Sequence, residues 1–332
     1  MLIVYSRARL GYNRIDACGG TEAHHRRCVL EILNRYREPL ALALDSLLGG
    51  PPSPILTMCR YHLGLADADG TPTRMAGGKM LRPALCLAMC EALGGDVRQC
   101  LPAALSLEIT HRASLVFDDI QDRSSQRNHR PTVWGVWGVD QAINAGLALT
   151  CYARLALHGM TNEGVSRGTI LEVHRLLEET VLDLCRGQHL DLHYRTERPS
   201  VEQYQEMVRL KTGVLLGAAC ETGAIVAAVP EKRAAAKQLG VALGVAFQLR
   251  DDYLGAWGDP QEMGKAADDL KDHQWSLPLL VGARLEGPSG TVPTAIDWMV
   301  EEWTRRAHGH LSEIGLPSGW LEIFVDITKA LA

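Results

Sequence analysis

The spacing of apolar residues limits most strongly what this chain can fold into. From Ala23 onward, apolar side chains recur three and four positions apart, the period of an α-helix with one buried face. Glycine, proline and small polar residues cluster between these periodic segments, at residues 49–52, 69–72, 94–96, 198–200, 229–230 and 287–290. The pattern therefore predicts helices along nearly the whole chain.

The periodic segments are long, as in residues 101–122, 164–192, 201–228 and 231–254. Segments of about 15 to 30 residues exceed the usual helix length and suit a helical bundle. Aromatic residues make up 5% of the chain and no run of alternating β-branched residues stands out, which argues against a β-sheet core. Because the breaks are short, the sequence predicts one all-α domain at 23–332, after a disordered extension at 1–22.

Charge and hydropathy argue against two classes of protein. A formal net charge of -5 is too mild to indicate a nucleic-acid binder. The most apolar stretch, residues 212–229, is interrupted by Glu221, so no transmembrane segment is expected. The nine cysteines form no CxxC pair, and residues 1–22 lack the apolar core of a signal peptide. The sequence thus predicts a soluble cytoplasmic protein with free thiols.

An apolar helical segment ends in three clustered carboxylates, Asp118, Asp119 and Asp122. Asp118 and Asp122 are four residues apart, so on a helix they project from one face about one turn from each other. Mg²⁺ is the natural partner, since one or two carboxylates commonly hold it while water and phosphate oxygens complete its shell. A solvated acidic helix end is the plain alternative.

A second acidic pair, Asp251 and Asp252, ends another apolar segment far along the chain. Two such ends facing each other across a bundle would form a carboxylate-lined mouth over a central apolar cavity. That arrangement suits an amphiphile with a diphosphate head and a hydrocarbon tail. Cations for the same head group occur at Lys79, Arg82, Arg127, Lys211 and Lys265, although each alone is more often a surface residue.

The ordered set of these motifs resembles the trans-type isoprenyl diphosphate synthases, the polyprenyl synthetase family, and most closely its geranylgeranyl diphosphate synthases. The resemblance begins near Pro54 and runs to the carboxyl end. The motifs that carry it are Gly-Gly-Lys-Met-Leu-Arg-Pro at 77–83, His111, Asp-Asp-Ile-Gln-Asp at 118–122, Arg127 with Pro131-Thr132, Gly187-Gln188 with Asp191, Lys211-Thr212, Phe-Gln-Leu-Arg-Asp-Asp at 247–252, and Gly264-Lys265 followed by Ser276-Leu277-Pro278.

The resemblance implies the isoprenoid synthase helical fold, a homodimer and a role for each matching residue. Three Mg²⁺ ions per active site would be ligated by Asp118, Asp122 and Asp251, with Asp119 and Asp252 in support. Arg127, Lys211, Thr212 and Lys265 would bind an allylic prenyl diphosphate, while Lys79, Arg82 and His111 would bind isopentenyl diphosphate. Gln188 and Gln248 would line the reacting centre. Catalysis would depend on the five aspartates, Lys211 and Gln248.

Three departures from the family pattern leave the reaction open. Asn128 stands where a second arginine usually follows the first motif, Gln274 stands where a lysine is usual, and Gly255 replaces a third aspartate of the second motif. An amide cannot replace the charged bidentate donor of an arginine, although His129 or Arg130 could compensate. Chain elongation with isopentenyl diphosphate is favoured, with a terpene cyclase as the alternative and a non-catalytic partner subunit as a third hypothesis.

Product length is expected to depend on residues about one turn before Asp118. The residues there, Ala113 and Ser114, are both small. In the family that the chain resembles, a bulky aromatic residue at the position of Ala113 tends to stop growth early. The sequence therefore predicts geranylgeranyl diphosphate, with 20 carbons, or a longer product.

Overall fold

A computed structural model describes residues 22–73, 80–257, 280, 291–317, 320–321, 323–324 and 327. Its first helices are α1 (Glu22–Leu47), α2 (Pro54–His62), α3 (Leu81–Ala92) and α4 (Val97–Gln121). A two-stranded antiparallel hairpin follows, β1 (Gln126–Arg127) with β2 (Arg130–Pro131). The helices α5 (Val133–Trp137), α6 (Val139–Leu157), α7 (Gly159–Asn162) and α8 (Arg167–His193) come next.

The remaining described elements are also helical. α9 (Val201–Val208) leads through a π-helical segment, Arg209–Gly213, into α10 (Val214–Val226). A 3₁₀ turn, Pro230–Lys232, precedes α11 (Arg233–Trp257), and α12 (Thr291–Ile314) follows later in the chain. Within the described ranges the only strands are β1 and β2, so the predicted all-α class is confirmed.

The chain folds into two compact units. In the first unit, residues 31–175, α4 packs on α3 and α6. In the second unit, which contains residues 22–30 and the described residues from 176 onward, α11 packs on α10 and α12. The predicted single domain at 23–332 stays a prediction. The extension predicted for residues 1–22 lies outside the described part of the chain, apart from Glu22 at the start of α1.

Each unit has its own apolar core. In the first, residues of α1, α2, α4 and α6 form one buried cluster that includes Cys59, Leu105, Ala113 and Leu149. In the second, Tyr204, Val245 and Leu249 pack with Ile296 and neighbouring side chains. These clusters explain why segments with apolar residues at helical spacing form stable helices here, since packing of the apolar face supplies most of a helix's stability.

Local sequence signals set several helix ends. Asp96 caps α4, its side chain accepting a hydrogen bond from the Arg98 N–H. Ser200 and Gln203 form a capping box at the start of α9. Among the described helices, none combines the length and the apolar content that crossing a bilayer requires. None of the seven cysteines whose side chains are described forms a disulfide.

Candidate active site

The first acidic motif lies where α4 leaves the core of the first unit. Asp119 is 2% exposed and its Oδ1 accepts a hydrogen bond from Arg127 Nε at 2.8 Å. Its other oxygen, Oδ2, is buried without a hydrogen-bond partner among the described residues. Burial raises the pKa of Asp119, and the guanidinium of Arg127 opposes that rise. Asp119 is thus fixed by an ion pair, whereas Asp118 and Asp122 are only partly buried.

The β1–β2 hairpin positions Arg127 for this ion pair. Its two turn residues, Asn128 and His129, have φ values of 50° and 61°, as expected for a two-residue hairpin turn with both central residues left-handed. Asparagine tolerates this conformation better than most residues. The indole Nε1 of Trp134 donates to the backbone oxygens of Asp119 and Ser124, both at 2.9 Å. This contact holds the loop after α4 against α5.

A cationic group surrounds His111 in the same unit. Burial lowers the pKa of His111 well below its usual value, and the charges of Arg82, Arg112 and Arg127 lower it further. Burial is also the main cause that lowers the pKa of Arg82 to about 10, while Glu108 opposes it. Arg82 Nε is buried with no hydrogen-bond partner among the described residues. A partly buried cation with an unused donor is suited to receive an anion.

Two residues that the sequence analysis missed, Glu108 and His62, contact Arg112 of this cationic group. Glu108 is 3% exposed and accepts a hydrogen bond from Arg112 Nε at 2.7 Å, one helical turn away. His62 Nε2 lies 2.8 Å from the Arg112 carbonyl oxygen, and burial lowers the pKa of His62 to about 4. The spacing of Glu108 and Arg112, four residues apart, was the signal that could have revealed their pairing.

Arg130, one of the two residues that could compensate for Asn128, is engaged by other groups of the first unit. Its Nη2 donates to the Ala66 backbone oxygen at 3.1 Å and to Asp67 Oδ1 at 3.3 Å. Its guanidinium carbon also lies 4.4 Å from the centre of the Tyr61 ring. These contacts hold Arg130 at α2 and the segment after it, whereas His129 is exposed at the tip of the hairpin.

The first acidic motif fits a divalent cation. Asp118 lies in the last turn of α4 and Asp122 caps the helix one turn later, while Asp119 Oδ2 has no hydrogen-bond partner among the described residues. Across the described ranges no three carboxylate, imidazole or thiol groups converge into a complete metal site. This donor set suits Mg²⁺, which keeps water and substrate oxygens in its shell, better than a metal held wholly by protein ligands.

In the second unit, the π-helical segment carries Lys211 and Thr212. Lys211 Nζ lies 2.8 Å from Asp191 Oδ2 of α8. A Cβ atom at Gly187 would lie 2.5 Å from the Lys211 backbone nitrogen, so only glycine lets α8 approach the segment this closely. Single π-helical turns within α-helices frequently occur at functional sites. The predicted Gly187, Asp191 and Lys211 motifs are therefore brought together.

A chain of hydrogen bonds connects the π-helical segment to the second acidic motif. Thr212 Oγ1 donates to Gln248 Oε1 at 3.1 Å, and Gln248 Nε2 donates to Asp252 Oδ1 at 3.0 Å. The hydroxyl of Tyr204 donates to the other oxygen, Asp252 Oδ2. Asp252 is half-buried and Asp251 is exposed. Tyr204 is a further residue that the sequence analysis missed, and no motif pointed to it.

The remaining predicted residues are placed as follows. Gln188 is half-buried on α8, next to the close approach at Gly187. Ala113 is 3% exposed inside the core cluster of the first unit, and Ser114 is half-buried with its hydroxyl donating to the His111 backbone oxygen. Lys79, Lys265 and Gln274 lie outside the described residues, as does the Ser276–Pro278 element.

Comparison with known proteins decides the family. Residues 71–295 match the family model named Polyprenyl synthetase. The chain belongs to the polyprenyl synthetase family. It is 36% identical over 268 residues to the geranylgeranyl diphosphate synthase of Mycobacterium tuberculosis (strain ATCC 25618 / H37Rv), covering 80% of this chain and 75% of that protein. It is also 37% identical over 245 residues to the (2E,6E)-farnesyl diphosphate synthase of Mycobacterium bovis (strain ATCC BAA-935 / AF2122/97), covering 73% and 66%.

The fold agrees with that assignment. The crystal structure of a polyprenyl synthetase from Streptomyces coelicolor A3(2) superposes with a TM-score of 0.80 at 30% identity, covering 92% of this chain and 99% of that one. The predicted family, the isoprenoid synthase helical fold and the prenyltransferase class are thereby confirmed. Enzymes of this family use a divalent metal ion.

Proposed function

We propose that this polyprenyl synthetase condenses an allylic prenyl diphosphate with isopentenyl diphosphate in a Mg²⁺-dependent reaction, and that geranylgeranyl diphosphate or a longer chain is the product. The observation that carries the proposal is the cationic group of the first unit. The charges of Arg82, Arg112 and Arg127 all act on His111, in the unit that also carries the first acidic motif. A cyclase has no use for a second diphosphate site, whereas an elongating enzyme needs one.

The residues divide into two binding sets. Arg127, Lys211, Thr212 and Lys265 bind the allylic diphosphate, and Lys79, Arg82 and His111 orient isopentenyl diphosphate. Asp118, Asp122 and Asp251 would hold three Mg²⁺ ions, which when bound stabilise the negative charge developing on the leaving diphosphate. Asp119 and Asp252 support the neighbouring ligands, since each is fixed by its own protein contacts.

Apolar surroundings would protect the allylic cation from water until it reacts. Ionisation leaves this cation in dry apolar surroundings, where Gln188 and Gln248 line the reacting centre and the isopentenyl double bond attacks. A new carbon–carbon bond forms, a proton leaves the resulting cation, and the released diphosphate accepts it. Water must stay out, because it would trap the cation as an alcohol.

A terpene cyclase is the second candidate, and Asn128 favours it. A cyclase needs the allylic site alone. Compared with the arginine usual in the family, Asn128 leaves one charge fewer for binding isopentenyl diphosphate. Purified protein with Mg²⁺ and geranylgeranyl or farnesyl diphosphate, with and without isopentenyl diphosphate, distinguishes the two candidates. We expect longer prenyl diphosphates only when isopentenyl diphosphate is present. Cyclic hydrocarbon formed in its absence would instead identify a cyclase.

Product length is proposed to depend on Ala113. A phenylalanine at this buried position would add a ring of roughly 150 Å² or more of buried surface near the first acidic motif. Ala113→Phe should therefore shift the product from 20 carbons or more toward farnesyl diphosphate. Ala104→Phe, at another buried alanine earlier on α4, controls for overpacking alone. An unchanged product distribution in a folded Ala113→Phe variant would contradict this assignment.

We also propose a homodimer in a reducing, cytoplasmic compartment. Val139, Ile143, Leu147 and Leu155 form an exposed apolar stripe along α6, the kind of surface that a second copy of the chain would cover. Leu147→Glu should reduce the mass measured by light scattering toward that of a monomer. Leu42→Glu, at an exposed leucine of α1, should leave the mass unchanged. Five of the described cysteines are buried, as is usual for free thiols that act as small apolar side chains in a reducing compartment.

A further inference from the structure

The second acidic motif is held from two sides by uncharged donors. Asp252 Oδ1 accepts a hydrogen bond from Gln248 Nε2 at 3.0 Å, and Asp252 Oδ2 accepts one from the Tyr204 hydroxyl. Both oxygens of this carboxylate are therefore engaged by the protein. Hydrogen bonds to an ionised acceptor are stronger than those between neutral groups, so the orientation of Asp252 is well defined.

Tyr204 is fixed independently of the motif that it contacts. It is 4% exposed, and its ring packs in the core cluster of the second unit with Val208, Val245 and Leu249. The capping box at Ser200 and Gln203 fixes the start of the same helix, α9. A tyrosine with a packed ring can aim its hydroxyl at one target with little loss of side-chain entropy.

The other end of the hydrogen-bond chain is Thr212, which neighbours Lys211 in the π-helical segment. Thr212 Oγ1 donates to Gln248 Oε1 at 3.1 Å, and this bond orients the Gln248 amide so that its nitrogen faces Asp252. Thr212, one of the proposed diphosphate-binding residues, and the second acidic motif thus belong to one hydrogen-bonded chain, which ends at Tyr204.

We infer that Tyr204 is a positioning residue for the divalent cation of the second motif. By holding Asp252, Tyr204 and Gln248 fix the helical turn that presents Asp251, the exposed carboxylate proposed to ligate Mg²⁺. This inference rests on the proposed function, because it assigns Tyr204 to the same metal-dependent site.

The variant Tyr204→Phe tests the inference, because it removes the hydroxyl and keeps the packed ring. Tyr194→Phe is the matched control, since Tyr194 packs at the edge of the same core cluster and is not part of the hydrogen-bond chain. The first measurement is the rise in melting temperature that Mg²⁺ with inorganic diphosphate produces in each protein. The second is turnover as a function of Mg²⁺ concentration.

We expect Tyr204→Phe to need about tenfold more Mg²⁺ for half of either effect, as loss of one charge-assisted hydrogen bond implies. Excess Mg²⁺ should restore most of its turnover, and Tyr194→Phe should behave as the parent protein. Turnover that falls equally at all Mg²⁺ concentrations, or an unchanged Mg²⁺ requirement, would overturn the inference. If the parent protein itself shows no Mg²⁺-dependent turnover or stabilisation, the proposed function fails instead.

Discussion

The two acidic motifs fix a carboxylate by different means. In the first unit, Asp119 is buried and paired with a cation, Arg127, at 2.8 Å. In the second unit, Asp252 is half-buried and held by the neutral donors Gln248 and Tyr204. A buried charge that loses its ionic partner is costly, whereas a more exposed carboxylate that loses one neutral donor can turn to water. The first motif should therefore be much less tolerant of change around its fixed carboxylate.

The largest expected effect tests what the two motifs have in common. If each presents a metal ligand beside its fixed carboxylate, Asp118→Ala, Asp122→Ala and Asp251→Ala should each reduce kcat/KM by roughly a hundredfold or more. Steady-state assays at saturating Mg²⁺ measure this loss. Asp140→Ala, at an exposed aspartate in the first turn of α6, is the control. Near-normal activity of Asp251→Ala would show that only the first motif holds metal.

The next effect concerns the ion pair of the first motif. Arg127→Met should destabilise the protein by about 3 kcal/mol, near the low end for a broken buried pair because Arg127 keeps some contact with solvent. Adding Asp119→Asn should recover part of this stability, since the buried charge is removed, but should not recover activity. Urea unfolding of the single and the double variant measures the two changes in stability, and steady-state assays measure activity. Arg123→Met, at an exposed position just after α4, is the control. Additive losses in the double variant would contradict the pairing.

Acid sensitivity should also arise mainly in the first unit. The pKa of His62 is lowered to about 4, so folding favours its neutral form. The stability that this provides is complete above the unfolded pKa of about 6.5 and is lost as the pH falls toward 4. At pH 5 the loss should be about 2 kcal/mol. His62→Gln should flatten the fall in melting temperature between pH 7 and 5, and an unchanged profile would exclude His62 as its source.

The smallest effect concerns the hairpin that carries Arg127. Asn128→Arg should lower KM for isopentenyl diphosphate several-fold with little change in KM for the allylic substrate. It should also cost roughly 1 kcal/mol of stability, because residue 128 has a φ of 50°. Asn128→Lys supplies the charge without the bidentate geometry and serves as the comparison. Lower activity with no gain in affinity would mean that Arg112 or another group already supplies this charge.

Much of the fold and part of the surroundings of each acidic motif could be predicted from sequence. Apolar periodicity located α4, α8 and α11 to within a few residues, because their buried faces repeat at helical spacing. The split of the segment 201–228 at the π-helical turn was not predicted, because a one-residue change in backbone hydrogen bonding leaves no mark in apolar periodicity.

The residues that fix the two motifs were harder to find. The roles proposed for Asp119 and Asp252 rest on adjacent aspartates and on family resemblance. The residues that contact these two aspartates differ in how easily the sequence reveals them. Arg127 belongs to a family motif, whereas Tyr204 lies 48 residues before its partner Asp252 and belongs to none. Such a pairing depends on the packing of α9 against the rest of its unit, and spacing along the chain cannot reveal it.

Both acidic motifs are proposed to bind an allylic diphosphate through Mg²⁺. The most direct test is to count the Mg²⁺ ions that bind together with a non-ionisable allylic diphosphate analogue, by equilibrium dialysis with metal analysis. We predict three ions per chain for the parent protein and fewer for both Asp118→Ala and Asp251→Ala. Tight binding of the analogue in excess chelator, or an unchanged ion count in both variants, would contradict the account.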